Sequence, residues 1–288
     1  MKDKQLQELQ RLTNYIYQDM NKLVSKLYCQ PKQKVPKLRR SIYIDQENTE
    51  QLFLDFLRMK LGNEYYQKGL EAFKNQIFRV KDENGEKFSR SGSHPSGEFY
   101  QIELNYNLSD VTTYAHEFMH YIQNDTTVTT LLLNETMPLF IEQLMVHYLK
   151  EQFPNEKKVY SCDFERYQNH LNLIQNEYIF ICEEHMKNIY SLFSMKYIFG
   201  LLISCKLYRD YLLSEKTALN EIKSFLLALE QNDFNQAMQA VGLNISYKEH
   251  HLYYSDYVLK LLIESFHSYY NQLFDEYKTL KKIKFIKR

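Results

Sequence analysis

The sequence predicts a mainly helical fold with a small β-sheet. Only seven glycines and five prolines occur in 288 residues, which favours long helices. Apolar residues recur every three or four positions through much of the chain, as they do on amphipathic helices. One Gly/Ser/Pro-rich cluster, at 89–97, precedes the one stretch with strand character. We expect a single domain, with a helical wall at 1–80, a core at 88–245 and C-terminal helices at 246–288.

The apolar spacing and the turn signals place the elements in order. Pro31 and Pro36 end the first helix, and a turn follows at 82–85. Ser109 or Asp110 is expected to cap the helix that begins there. A strand is predicted at 98–106, and an extended connector at 41–45. The predicted helices in the first half of the chain span 3–27, 48–61, 64–78, 109–123 and 131–152. The region 164–278 is predicted to form four or five further helices, with breaks near Gly200, 214–217 and Gly242.

Composition and charge exclude several classes of partner. The 36 basic and 36 acidic residues balance, so nothing indicates a nucleic-acid partner, and the 25 tyrosines are expected to fill helix interfaces. The four cysteines are dispersed, as is typical of free thiols in a reducing compartment. The charged start does not resemble a signal peptide, and no apolar run is long enough to cross a membrane. We therefore expect a cytoplasmic protein without a membrane partner.

The most informative pattern is His116-Glu117-Phe118-Met119-His120. On a helix, residues four apart return to nearly the same face, so His116 and His120 can bind one metal ion. Zinc in such a site lowers the pKa of a bound water to about 7 and polarises a carbonyl, and Glu117 would take the proton from that water. The pattern predicts a zinc hydrolase. The alternative is a surface helix that carries two histidines.

Two histidines leave a catalytic zinc site one protein ligand short. Glu135 follows His120 after 14 intervening residues and Glu142 after 21, and a helix-turn-helix lets either approach. Asp125 is too close in sequence to fold back comfortably. Glu135 is the first choice for the third ligand, with Glu142 kept open. The alternative role for Glu135 is a glutamate stabilised by the dipole at a helix N-terminus.

The predicted strand at 98–106 comes immediately before the metal motif. An exposed strand edge beside a metal can hold a substrate in extended form through main-chain hydrogen bonds. We therefore expect a peptide substrate.

The residues around this motif also resemble a known family. The segment from Asp110 to His120, preceded by Leu104-Asn105-Tyr106, resembles the zinc-binding region of the M3 peptidases, the family of thimet oligopeptidase and oligoendopeptidase F. In that family the third ligand is a glutamate followed seven residues later by another, a spacing that Glu135 and Glu142 keep. The segment from His185 through Tyr190 to Tyr197 and Gly200 resembles the family's late His/Tyr motif.

The resemblance implies a gluzincin-like catalytic domain, helical, with a small sheet bordering a zinc site. It implies that His116, His120 and Glu135 bind Zn²⁺ and that Glu117 is the catalytic base. It further implies that His185 hydrogen-bonds the substrate. By the same resemblance, Tyr190 and Tyr197 donate hydrogen bonds to the oxyanion of the tetrahedral intermediate, and aimed donors of this kind supply several kcal/mol.

Three features depart from the family pattern. Met119 stands where the family has a glycine, and the stretch between His120 and Glu135 is about ten residues shorter than in the family. Family members are about twice as long as this chain, and their extra helices close a channel that admits only short peptides. We therefore expect a shallower groove, or one closed by self-association into a homo-oligomer. The substrate would then extend to longer segments such as a leader or propeptide.

The sequence thus predicts a zinc metalloendopeptidase that hydrolyses oligopeptides or a leader peptide. The rival hypothesis is a catalytically inactive peptide-binding protein that keeps the peptidase fold, and Met119 and the shortened loop favour it. A zinc hydrolase that acts on a non-peptide amide is a weaker third hypothesis.

Overall fold

The structure is a computed structural model that describes residues 15–16, 18–36, 42–82, 85–88, 99–123, 130–154, 156–182 and 189–286. These residues are mainly helical, as the sequence predicts, and they form two small sheets where one was expected. The helices are α1 (15–28, position 17 excepted), α2 (Gln46–Phe56), α3 (Asn63–Lys74), α4 (Ser109–Gln123), α5 (Thr136–Gln152), α6 (Tyr160–Cys182), α7 (Ile189–Leu213), α8 (Glu215–Glu230), α9 (Phe234–Ala240) and α10 (Asp256–Ile286). The strands are β1 (Phe78–Asp82), β2 (Gly85–Phe88), β3 (Tyr100–Glu103), β4 (Ile245–Lys248) and β5 (His251–Tyr254).

The chain divides into two compact units. The first comprises Met1–Val35, Gln123–Phe140 and Glu165–Asp275, and the second comprises Pro36–Ile122, Ile141–Phe164 and Glu276–Arg288. Helices α4, α5, α6 and α10 are continuous across these boundaries. Within the described residues, no helix combines the length and the apolar character that crossing a lipid bilayer requires.

A three-stranded sheet and an aromatic core organise the second unit. Strand β1 pairs antiparallel with β2 and parallel with β3, so the strand order is β2-β1-β3. The ring of Phe53 on α2 lies 5.4 to 6.3 Å from four other aromatic rings, measured between centroids. These rings belong to α3, β1 and α4: Phe73, Phe78, Tyr114 and Phe118. The cluster therefore fixes helix α4 against the sheet and against two other helices.

We expect Phe53→Ala to lower the free energy of unfolding by about 3 to 5 kcal/mol. Phe53 is fully buried, and its removal would leave a cavity beneath α4. Urea titration followed by circular dichroism measures the change. The matched control is Tyr257→Ala, because Tyr257 is exposed and its loss should change stability by at most about 0.5 kcal/mol. Equal effects of the two substitutions would contradict this assignment of the core.

Packed helices and a β-hairpin form the first unit. Helix α7 packs against α8, and α9 packs against α8 and against strand β4. Phe199 on α7 stacks on Phe234 of α9, with ring centroids 6.3 Å apart. The β4–β5 hairpin is tied to α1 by Asp19, whose carboxylate accepts a hydrogen bond from the N–H of Leu252 at 2.8 Å. The buried ammonium of Lys206 on α7 contacts Asp210 at 2.6 Å.

Several predicted boundaries differ from those observed. The helix predicted at 48–61 ends in a π-helical turn, Leu57–Leu61. The next helix stops at Lys74, because Phe78 begins strand β1 and is buried there. The strand predicted at 98–106 is shorter and spans Tyr100–Glu103. The first helix is observed only at 15–28, and its predicted start lies outside the described residues, as does the cluster at 89–97.

Two predictions in the C-terminal half are wrong. Helix α7 continues through Gly200 without a break. The region 164–278 contains five helices, as expected, and also the β4–β5 hairpin, which was not predicted. The breaks expected at 214–217 and Gly242 are confirmed, since α7 ends at Leu213 and α9 ends at Ala240.

Candidate metal centre

The turn between strand β3 and helix α4 is fixed by two polar side chains. The buried carboxylate of Asp110 accepts hydrogen bonds from the N–H groups of Asn105 and Asn107, at 3.1 and 3.2 Å. Burial raises the pKa of the Asp110 carboxyl, and these amide donors act in the opposite direction. The side chain of Asn107 accepts from the N–H of Ser109 at 2.8 Å. The oxygen that meets the start of α4 therefore comes from Asn107, not from Ser109 or Asp110 as expected.

His116 and His120 lie one turn apart on helix α4, and both are half-buried. Their Nε2 atoms are 3.1 Å apart. Two nitrogens bound to one tetrahedral zinc at their usual distance would be separated by about 3.3 Å. The two imidazoles thus present their ring nitrogens at a spacing that suits a shared zinc ion. The same spacing suits a hydrogen bond between the rings, and metal analysis distinguishes the two.

Glu142 on helix α5 holds the ring of His116. The Nδ1 atom of His116 lies 2.5 Å from Oε1 of Glu142. A carboxylate on one ring nitrogen fixes the tautomer in which the other nitrogen is free of its proton and can bind a metal. The sequence allowed Glu142 as the alternative to Glu135 for the third ligand. In the structure its carboxylate faces the outer nitrogen of His116, where it orients that side chain.

We expect Glu142→Gln to weaken zinc binding by about 10- to 100-fold, the usual effect of changing a group that orients a metal ligand. The amide can still accept a hydrogen bond, but it lacks the charge that favours the required tautomer. Competition with a chromophoric chelator measures the affinity. Glu151→Gln is the matched control, because Glu151 lies on the same helix and contacts His147 at 3.1 Å, outside the predicted ligands. Equal losses in both variants would argue against the orienting role of Glu142.

Glu135 immediately precedes helix α5 and is 1% exposed. Its carbonyl oxygen accepts the N–H of Leu139 at 3.1 Å, so its backbone leads directly into the helix. Glu135 and Glu142 are therefore about two turns apart along one continuous segment. Glu135 is the carboxylate that the sequence predicts as the third partner of His116 and His120. This donor set, two imidazoles and a carboxylate, is one that catalytic zinc uses.

The carboxylate of Glu135 also contacts helix α7. Its Oε1 lies 2.7 Å from Nζ of Lys196, a lysine that is itself only 8% exposed. A Cβ atom placed on Gly200, one turn further along α7, would come within 2.9 Å of the carbonyl carbon of Glu135. Sequence reasoning missed both contacts. The sequence did mark Lys196 as unusual, because it is the only charged residue between Ile189 and Cys205.

Strand β3 has one side that no described strand covers. The N–H groups of Tyr100 and Leu104 donate to the carbonyl oxygens of Ile77, just before β1, and of Lys81 in β1, at 2.7 and 2.9 Å. Since alternate residues point their main-chain groups to opposite sides, those of Gln101 and Glu103 face away from β1. The ring of Tyr100 is nearly parallel to that of His120, with an interplanar angle of 7° and centroids 6.4 Å apart. Strand β3 therefore lies beside the histidine helix.

The three residues of the late His/Tyr segment are described to different extents. His185 lies outside the described residues, and only the backbone of Tyr190 is described, in the first turn of α7. Tyr197 is 37% exposed, and its ring centroid is 5.1 Å from Nζ of Lys196. The roles of all three toward a substrate stay predictions.

Comparisons with protein-family models, with curated proteins and with solved structures found no match to this chain. The resemblance to the M3 peptidases consequently rests on the quoted residues and their spacing. The functional assignment depends on the geometry of the candidate metal centre.

Proposed function

We propose that this protein is a zinc-dependent endopeptidase in which His116, His120 and Glu135 hold the metal. The observation that carries the proposal is the pair of imidazoles on α4, whose Nε2 atoms lie 3.1 Å apart, a spacing that suits one zinc ion. The contact between Glu142 and Nδ1 of His116 supports it, because a carboxylate on the outer nitrogen is typical of zinc-binding histidines. The residue types present therefore suit zinc.

Glu117 would be the general base of the reaction. It follows His116 on α4 and is half-buried. A bound zinc ion would supply Lewis-acid polarisation of the scissile carbonyl and a water with a lowered pKa. Glu117 would accept the proton of the attacking water and later donate it to the leaving amine. By the resemblance to the M3 peptidases, Tyr190 and Tyr197 would donate hydrogen bonds to the oxyanion and His185 would bind the substrate.

The substrate would bind as an extended peptide along the outward side of β3. The outward-facing main-chain groups of Gln101 and Glu103 are suited to pairing with a peptide backbone. Main-chain pairing of this kind is largely independent of the peptide's sequence, so side-chain contacts would set the preference. An oligopeptide or an extended leader segment meets these requirements.

Metal analysis and a peptide library test this proposal together. The purified protein is expected to contain close to one zinc per chain and to cleave internal peptide bonds, which mass spectrometry of the products would locate. Removal of the metal with a chelator should stop cleavage, and added zinc should restore it. Failure to bind zinc would reject the proposed activity outright.

One observation favours the rival hypothesis of an inactive peptide-binding protein. The ion pair between Glu135 and Lys196 compensates the charge of the third ligand without a metal. The rival predicts saturable peptide binding without cleavage, and calorimetry with uncleaved library peptides measures it. Turnover that depends on zinc and on Glu117 would exclude the rival.

A further inference from the structure

We infer that helix α7 positions the third metal ligand through two residues one turn apart, Lys196 and Gly200. This inference rests on the proposed function, since it concerns the zinc site. Neither residue is expected to touch substrate or metal. Both act through Glu135, Lys196 on its carboxylate and Gly200 on its backbone.

Lys196 fixes the carboxylate group. The contact between Nζ and Oε1 is 2.7 Å, and it joins a lysine that is 8% exposed to a glutamate that is 1% exposed. A buried ion pair of this kind restricts both side chains to one geometry, because neither charge can turn to solvent. The cation occupies Oε1, and the fixed carboxylate plane sets the direction of Oε2.

Gly200 fixes the backbone of the same residue. A Cβ at this position would lie 2.9 Å from the carbonyl carbon of Glu135, 3.0 Å from its Cβ and 3.0 Å from the nitrogen of Thr136. Distances below about 3.5 Å between such atoms are repulsive, so only glycine lets α7 approach this closely. The neighbouring atoms are main chain and Cβ, which cannot rotate away. Any side chain at position 200 would displace the start of α5 from α7.

The two contacts share one face of α7, because residues four apart on a helix lie nearly above one another. Glu135 is thereby held at two points, its backbone and its carboxylate. A ligand with its rotamer fixed before the metal arrives loses less conformational entropy on binding. The pair of contacts thus accounts for a lysine and a glycine in the stretch 189–205 of α7, where no other residue is charged.

Whether zinc affinity falls or rises when Lys196 is removed distinguishes a positioning role of this lysine from a purely electrostatic one. A cation beside a metal ligand repels the metal, so the loss of its charge alone would tighten zinc binding. The loss of positioning would weaken it. We expect Lys196→Met to raise the zinc Kd by about 10- to 100-fold. Unchanged or tighter binding would overturn the inference.

The full-length protein serves for the test, with four variants. Zinc Kd is measured by chelator competition, and the visible spectrum of the cobalt-loaded protein reports ligand geometry. Lys196→Met and Gly200→Ala should both raise the Kd and alter the cobalt bands. Lys206→Met is the control for a buried lysine on the same helix, since Lys206 pairs with Asp210. Gly69→Ala is the control for a crowded helical glycine, since its neighbours are side-chain atoms of Leu57 and Leu54.

The controls should lower the melting temperature without moving the Kd or the cobalt spectrum. If Gly200→Ala does not fold, Lys196→Met still decides the outcome. If the parent protein binds zinc and both α7 variants match it in zinc Kd and cobalt spectrum, only this inference is overturned. A parent protein that binds no zinc would overturn the proposed function together with the inference.

Discussion

Replacing Glu117 by glutamine is expected to lower kcat/KM for peptide cleavage by about 10²- to 10⁴-fold, the contribution usual for a general base. Glutamine has nearly the shape of glutamate, but its amide does not accept a proton near neutral pH. The zinc content should stay unchanged, because Glu117 is not among the predicted ligands. Cleavage of a peptide taken from the library, with zinc per chain determined by mass spectrometry, measures both quantities.

Glu71→Gln provides the control for this substitution. Glu71 lies exposed on helix α3, so the same chemical change there should leave both cleavage and zinc content intact. Full cleavage by the zinc-loaded Glu117 variant would rule out this residue as the base. A large loss in the Glu71 variant would show that the assay reports a general effect on the fold.

The substitution His120→Phe is expected to abolish stoichiometric zinc binding and, with it, all metal-dependent cleavage. Phenylalanine keeps an aromatic ring that can stack on Tyr100, which lies 6.4 Å from the ring of His120, but it removes the ligand nitrogen. Loss of a direct ligand should exceed the roughly 10- to 100-fold effect of an orienting residue. Zinc should then no longer raise the melting temperature, since stabilisation by a ligand follows its affinity.

His147→Phe is the matched variant for this experiment. His147 lies on α5, is half-buried and contacts Glu151 instead of the predicted ligands. Burial lowers the pKa of His147, so its charge is of little importance at neutral pH. This variant should bind zinc as the parent protein does. Retained stoichiometric binding by His120→Phe would exclude the predicted ligand set.

The metal helix could be predicted from sequence because its information is local. The spacing of His116 and His120 by itself implies that both side chains lie on one helical face, and the structure has this arrangement within α4. Pro138 lies in the first turn of helix α5, where the missing N–H of proline needs no partner within the helix. Patterns with a period of one turn need no tertiary contacts to be interpreted.

Gly200 was predicted as a break because glycine is a poor helix former in isolation. In the folded chain the missing Cβ makes room for the backbone of Glu135, and packing outweighs propensity. The contact joins residues 65 positions apart in the sequence, so no local pattern could reveal it. Lys196 and Glu135 are 61 positions apart, so the isolated charge of Lys196 marked it as unusual without indicating its partner.

The β4–β5 hairpin escaped prediction because its turn lacks the usual residues. Glu249 and His250 form the turn with φ angles of 52° and 70°, where asparagine or glycine would normally appear. The strands are four residues each and carry mixed polar and aromatic side chains. Short strands without turn residues give a weak signal against a helical background.

Asp110 links strand β3 to helix α4 through hydrogen bonds. Its carboxylate joins Asn105, two residues after the strand, to the first turn of the helix. Under the proposed function, the strand that selects a peptide and the helix that holds the metal are consecutive elements of one short segment, 100–123. New side chains at Gln101 or Glu103, both exposed, should change which peptides are chosen without moving the histidines. Selectivity in this protein should therefore be open to redesign independently of its metal chemistry.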